Sequence, residues 1–326
     1  MNRLDIKIEE QYIKQLGINQ CRQNMGVRGL MSWLKPYSHY ESYDTLLKKK
    51  FRIAIDISYY MYKWQANHEK IVEFIEKLQK AGHHIILVFD GRAADGKQWE
   101  AQRRRTAREE EQKAATKIMD EITNNEGLTN QQKTHLEKVA AEHLRRGWHL
   151  TKDIRHTVKR SFYRKLIPMV KATTEADGLL AALSNRGDVD IVISGDMDVF
   201  AMGTKVLYAP TGDGTNFLVF EREPILQKLS LSDYQFRSMC AMCFTEMREE
   251  QEFLDVRQAY QGLRVFRSFE LLKKKHPEWL KVWPDDQHIF YHSVDTLTEW
   301  LRDDQEVFYK AFINGEKMPY TEDEDE

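Results

Sequence analysis

The sequence predicts an α/β fold: a central parallel sheet flanked by helices, with a basic helical insertion and a helical C-terminal region. Three observations predict it. Short apolar runs at Arg52–Asp56, His84–Asp90 and Ile191–Ile193 are continuous rather than alternating, as strands buried on both faces are. The stretch between the first two runs, Ile71 to Leu78, repeats apolar residues at helical spacing and so reads as a crossover helix. The stretch from Lys97 to about Lys165 is long, highly charged and nearly free of strand signals.

Taken in order, residues 1–24 are polar with scattered Ile and Leu, an N-terminal extension, and Met25 reads as an alternative start. An apolar helical face runs from Leu30 to Leu34 and stops at Pro36, and the basic turn Lys48-Lys-Lys50 leads into the first strand. In the crossover helix Val72, Ile75 and Leu78 face inward, with Gly82 beyond its end. After the helical insertion, Leu166–Lys171 is a weaker strand, and Ala176 to Asn185 is a helix. Lys205–Ala209 and Asn216–Phe220 flank Thr211-Gly-Asp-Gly214 as a β-hairpin. Helical patterns follow at Tyr234–Met242, Phe266–Lys274 and Asp295–Arg302, and the chain closes on an acidic tail, residues 317–326.

Composition narrows the function. With 326 residues and 41% hydrophobic content the chain has ample material for a core, and its net charge of -2 means that any nucleic-acid surface must be a local patch. The candidate patch is the insertion, where Arg103-Arg-Arg105, Arg108, Arg145, Arg146, Arg155 and Arg160 outweigh Glu109-Glu-Glu111. On charge alone it reads equally as a solvated helical hairpin, and its place between the acidic strands favours the phosphate-binding reading. Three cysteines and no long apolar run suit a soluble chain in a reducing compartment, with no membrane partner. Cys240 and Cys243 read as paired core or surface thiols, since two further zinc ligands are missing.

The chemistry lies where strands end. Each central run stops at an acid: Asp56, Asp90, and Asp196 with Asp198 in Ser-Gly-Asp-Met-Asp; Glu175 and Asp177 open the helix after the weak strand. Ligands of open parallel sheets sit beyond the carboxyl ends of the strands, so these acids share one rim. One such Asp is an ordinary helix cap; four strand ends together are a carboxylate cluster that repels itself unless cations hold it. With no Cys or His among them the donors suit hard ions, Mg²⁺ or Mn²⁺, and such sites handle phosphates.

In detail the motifs resemble the flap endonuclease family of structure-specific 5′ nucleases, over roughly residues 25 to 276. Met25-Gly-Val-Arg-Gly-Leu30, Ile55-Asp56-Ile-Ser58 with Tyr62, Val88-Phe-Asp-Gly91, Glu175-Ala-Asp177 and Gly195-Asp-Met-Asp-Val199 look like its motifs, in order. The resemblance implies a PIN-like domain over 25–316, with a helical arch at about 97–165 and a degenerate helix-two-turn-helix at about 246–276. It implies two Mg²⁺ ions, replaceable by Mn²⁺: one near Asp56, Asp90 and Glu175, the other near Asp177, Asp196, Asp198 and Glu246. Glu246 stands where the family has an Asp. Lys97 and Arg104, seven residues apart on one helical face, would be the catalytic cations. Gly26, Tyr62, Arg103, Arg108, Gly262 and Arg264 would contact nucleic acid, Tyr62 as a stacking platform.

The family's Gly-x-Gly-Pro hairpin survives only as Gly262-Leu-Arg-Val265, which weakens the expected duplex grip, and no sliding-clamp motif is found. The implied activity is metal-dependent hydrolysis of DNA carrying a 5′ flap or free 5′ end, in replication, repair or recombination. A monomer in the nucleus or a viral replication compartment is expected. Two other readings stay open, an endoribonuclease of the same fold and a non-catalytic scaffold.

Overall fold

A computed structural model describes residues 27–92, 98–243, 254–275 and 297–316. In chain order the elements are α1 (Leu30–Leu34), β1 (His39–Glu41), α2 (Tyr43–Leu46), β2 (Arg52–Asp56), α3 (Ile57–Lys63), α4 (His68–Lys80) and β3 (His84–Phe89). The helical insertion follows as α5 (Gln98–Asn124), α6 (Asn130–Gly147) and α7 (Lys152–Arg164). The chain returns through β4 (Met169–Lys171), α8 (Ala176–Arg186), β5 (Ile191–Ile193), α9 (Met197–Ala201), β6 (Val206–Thr211) and β7 (Asn216–Glu221). Last come α10 (Arg222–Leu229), α11 (Asp233–Met242), α12 (Val256–Phe266), α13 (Phe269–Lys275), α14 (Leu297–Trp300) and α15 (Glu306–Asn314).

One seven-stranded sheet runs in the order β1-β7-β6-β5-β2-β3-β4. Strands β4, β3, β2, β5 and β6 are mutually parallel, and β7 and β1 extend the sheet antiparallel. The central strand Arg52–Asp56 has four of its five residues buried, as its unbroken apolar run requires. Ala54, Ile86, Val192 and the helices α8, α9, α11 and α12 form the core on one face. Ile53, Ile55, Phe89, Met169 and the helices α3, α4 and α7 form it on the other.

Several expectations are corrected in detail. Strand β1 was not expected; its register with β7, His39 opposite Val219, is set by tertiary pairing and not by an apolar run. β4 begins at Met169 because the turn closing α7 uses Leu166 and Ile167, whose amides bond back to Tyr163 and Phe162. Helix α4 buries Ile71, Phe74, Ile75 and Leu78, leaving Val72 at the margin. The helix expected at Phe266–Lys274 is split at Arg267, whose φ is 62°. The helix expected over Asp295–Arg302 ends at Trp300, because Leu301 bridges to Ala172. Cys240 and Cys243 are free buried thiols. No helix among the described residues is long and apolar enough to cross a membrane.

Candidate active site

The rim is built by strands that hand over to helices at acids. Asp56 ends β2 and caps α3, its Oδ1 accepting from the Tyr59 amide at 3.2 Å. Its Oδ2 accepts from the Ser194 hydroxyl at 2.9 Å, and Ser194 Oγ in turn accepts from the Asp196 amide at 3.0 Å. Asp196 caps α9 through the Asp198 amide at 2.9 Å, and Asp198 accepts from the Val27 amide at 2.7 Å. Asp90 accepts from the Ser58 hydroxyl at 2.6 Å and the Ala176 amide at 3.0 Å, which ties the end of β3 to the start of α8. Two bonded sets result, one linking Asp56, Ser194, Asp196 and Asp198 and one joining Asp90 to Ser58 and the start of α8.

Asp177, Asp196 and Asp198 come closest: one carboxylate oxygen from each lies within 4.8 Å of the others. Asp198 is buried, so these charges stand together where water screens them poorly. Asp56 is buried too, and burial, with Asp90 beside it, pushes its carboxyl up to about 7. Glu175 stands at the N-cap of α8, half-buried, one position before the helix that carries Asp177. An all-oxygen set of this density fits a hard divalent cation and offers nothing to a soft one.

Two glycines let the rim close. A Cβ on Gly195 would lie 2.3 Å from the Tyr59 ring, and one on Gly91 would lie 2.0 Å from the Ala172 carbonyl oxygen. The Gly91 and Arg92 amides donate to the Thr174 and Thr173 carbonyls, pinning the chain directly after Asp90.

Helices α5 and α6 form a hairpin, α5 being about 40 Å long at 1.5 Å per residue. His143 meets Glu111 at 2.6 Å and Gln112 bonds the Gly147 carbonyl at 3.0 Å, fastening the two helices. Arg104 and Arg108 are half-buried on α5 and Arg103 is exposed. The hairpin meets the turn after α3 at Gln65, whose side-chain amide donates to the Arg145 carbonyl at 3.2 Å. Beside it Tyr62, 44% exposed, meets Trp148 edge-on with ring centroids 5.8 Å apart. Lys97, Glu246 and Gly26 lie outside the described residues.

The expected remnant of a hairpin at Gly262–Val265 is corrected, because those residues lie inside α12. That helix starts at an Asp255–Gln258 capping box and buries Val256, Ala259, Gly262 and Leu263 at helical spacing, which leaves no turn at Gly262. Arg264 instead lies 5.8 Å over the Tyr260 ring. Sequence reasoning missed Ser58, Ser194, Val27 and Trp148. The two serines sit within the acidic motifs and were open to notice; the Val27 and Trp148 contacts span the fold and leave no local signal.

The sheet order and the acids at its carboxyl end define a PIN-like α/β protein with a carboxylate cluster. Residues 166–246 match the XPG I-region. The chain is 24% identical to flap endonuclease 1 of Micromonas commoda over 336 residues, covering 90% of this chain and 82% of that one. It is 25% identical to exonuclease 1 of Danio rerio over 281 residues, 79% of this chain but 33% of that one. It spans 62% of the flap endonuclease 1 of Chlamydomonas reinhardtii. In fold it is similar to the catalytic core of Rad2 in complex with DNA substrate, with a TM-score of 0.55 at 18% identity, covering 89% and 95% of the two chains. Flap endonuclease-1 from Methanococcus jannaschii gives 0.51 at 17% identity over 90% and 94%. Together these matches make the chain similar to flap endonuclease 1 and exonuclease 1 in sequence and to the Rad2 catalytic core in fold, with the XPG I-region over residues 166–246.

Proposed function

We propose that this chain is a divalent-metal-dependent, structure-specific 5′ nuclease that hydrolyses phosphodiester bonds in flapped or branched DNA. The observation that carries the reading is the approach of Asp177, Asp196 and Asp198 within 4.8 Å, with the hydrogen-bonded Asp56 and Asp90 on the same rim. The similarity to flap endonuclease 1 and exonuclease 1 agrees with it.

In this reading Asp177, Asp196 and Asp198, joined by Glu246, hold one Mg²⁺, and Asp56, Asp90 and Glu175 face a second. Bound ions of this kind activate water and offset the charge of a phosphoryl transition state. The chain's own groups do the rest. Ser194 and the Tyr59 amide fix both oxygens of Asp56; Ser58 and the Ala176 amide fix both of Asp90. The acids therefore keep their positions with no side-chain rearrangement when substrate arrives. Lys97 and Arg104 supply positive charge to the scissile phosphate from the arch side. Tyr62, braced by Trp148, stacks on the nucleotide beside the cut. Selection rests on backbone and shape rather than base edges.

The test is cleavage of end-labelled substrates in Mg²⁺: a 5′ flap, a nicked duplex, a plain duplex and single-stranded RNA, with Asp196→Ala alongside. Cutting near the flap junction that vanishes in the variant supports the reading. Cutting of RNA alone transfers the same chemistry to RNA, and binding without cutting leaves a scaffold.

A further inference from the structure

The edge strand β4 differs from its neighbours: its last residue is the cation Lys171, and its acids, Glu175 and Asp177, come only after the turn into α8. In the order β5, β2, β3, β4 the first three strands run out at aspartates, and the edge strand β4 ends at Lys171. Lys171 pairs with Phe89 across the parallel β3–β4 ladder, so both side chains leave the sheet on the face covered by α7. On α7, Lys159 lies 4.9 Å over the Phe89 ring, and Arg155 is one turn earlier on the same helix face.

The other neighbour of β4 is the C-terminal segment. Ala172 forms an antiparallel bridge with Leu301, and the Thr173 amide donates to the Trp300 carbonyl at 2.9 Å. The next pair in that register is Lys171 and Arg302. Ala172 and Leu301 are buried in the core on one side, so Lys171 and Arg302 share the opposite face. Gln305 Oε1 holds this arrangement by accepting from the Lys171 amide at 3.1 Å.

Like charges placed directly opposite each other repel. The acid facing them is Asp304, and its two oxygens already accept from Arg302 at 2.9 and 2.7 Å. Among the described residues neither Lys171 nor Arg155 has an ion pair. Burial and the nearby Arg302 and Arg155 pull the Lys171 ammonium below the usual lysine range, with Asp304 opposing. The cluster is short of negative charge, half-buried, and one strand away from Asp90.

We propose that Lys171, Arg155 and Arg302 form a phosphate site at the β4 edge that takes a backbone phosphodiester of the single strand continuing past the acids. The inference rests on the nuclease reading above and adds a direction to it. The unpaired strand leaves the acid cluster toward β4, between α7 and the C-terminal segment. An internal phosphodiester and a free terminal phosphate share the required chemistry, and the substrates below separate them.

The experiment is fluorescence-anisotropy binding in EDTA, with a duplex bearing a five-nucleotide 5′ flap and the same duplex nicked without a flap. Each is prepared with a 5′-phosphate and with a 5′-hydroxyl. Lys171→Gln combined with Arg155→Gln is expected to weaken flap binding about tenfold, whichever 5′ end is present, and leave the nicked duplex within about twofold. The slope of log K against log salt for the flap should fall by about 1, the scale of one to two lost single-strand contacts. A methylphosphonate at the flap linkage nearest the junction should copy the loss in the parent and add nothing in the variant. Equal loss on both substrates, no loss, or loss only with a 5′-phosphate overturns the site as proposed. If the parent cuts flaps while the variants bind them normally, this inference alone fails; if the parent neither binds nor cuts flap DNA, the nuclease reading fails with it.

Discussion

The carboxylate rim and the helical arch both carry dense charge, and they hold it in opposite ways. On the rim both oxygens of Asp56 and of Asp90 are met by an amide and a hydroxyl, and the acids are fixed by contacts up to 171 residues apart in sequence. On the helical insertion most pairs are local and exposed, Arg105 with Glu109, and Arg145 and Arg146 with Glu142, all three or four residues apart, and His143 with Glu111 is the exception that ties its two helices. The rim therefore depends on individual residues at individual positions. The insertion depends on its summed charge, and its exposed local pairs are expendable.

The largest effect that tests this contrast is at Asp196. Alanine there should lower cleavage by roughly a thousandfold, the several kcal/mol that a bound metal contributes to a phosphoryl transition state. The same variant, free of metal, should melt at or above the parent, since one of the crowded carboxylates is gone. Parent-level cutting would put the reacting centre elsewhere.

Next comes the backbone of the rim. Gly91→Ala drives a methyl to 2.0 Å from the Ala172 carbonyl oxygen, and should cost about 3 kcal/mol in urea unfolding. Gly212→Ala, in the hairpin turn, meets no atom within 4 Å and carries only its left-handed φ of 56°, a cost of about 1 kcal/mol. Equal midpoints for the two variants would break the claim that the rim is the tightly packed end.

Acidity gives an intermediate effect. The Asp56 carboxyl is raised from 3.8 to about 7, chiefly by burial and then by Asp90. Its folded form holds a proton that the unfolded chain has released, so metal-free stability should fall as pH rises from about 4 through 7. Thermal melts at pH 5 and pH 8 in EDTA should show the drop, and added Mg²⁺ should shrink it. A metal-free protein more stable at pH 8 than at pH 5 would contradict the buried, proton-holding Asp56.

The smallest effect belongs to the arch. Arg145, and then Arg146, hold the Glu142 carboxyl down at about 2, yet the pair is largely in water. Glu142→Gln should change stability by no more than about 0.5 kcal/mol and lose that difference in high salt. Chemical denaturation at two salt concentrations is sufficient to check it.

The rim was legible in the sequence because burial on both faces forces unbroken apolar runs, and the acids stand where those runs stop. β2, β3 and β5 could be read from that rule alone. β1 could not: His39-Tyr-Glu41 has no apolar pattern, and only its pairing with β7 makes it a strand. The serines that orient Asp56 and Asp90 stand in plain view inside the acidic motifs, but their partners do not, since Ser194 and Asp56 lie 138 residues apart and Ser58 and Asp90 lie 32 apart. Gly262 was misread by local likeness to a hairpin motif. The capping pair Asp255 and Gln258, with apolar positions three and four apart, already spelled a helix through that glycine.

The pinning at Gly91 and Arg92 separates two mechanical worlds. Asp90 stands only eight residues before α5, yet the chain between them is fastened to the Thr173 and Thr174 carbonyls before the insertion begins. The position of Asp90 is therefore set by the sheet and the turn after β4 rather than by the insertion that follows it. The insertion's length and charge can thus be changed in a variant while the carboxylates keep their register.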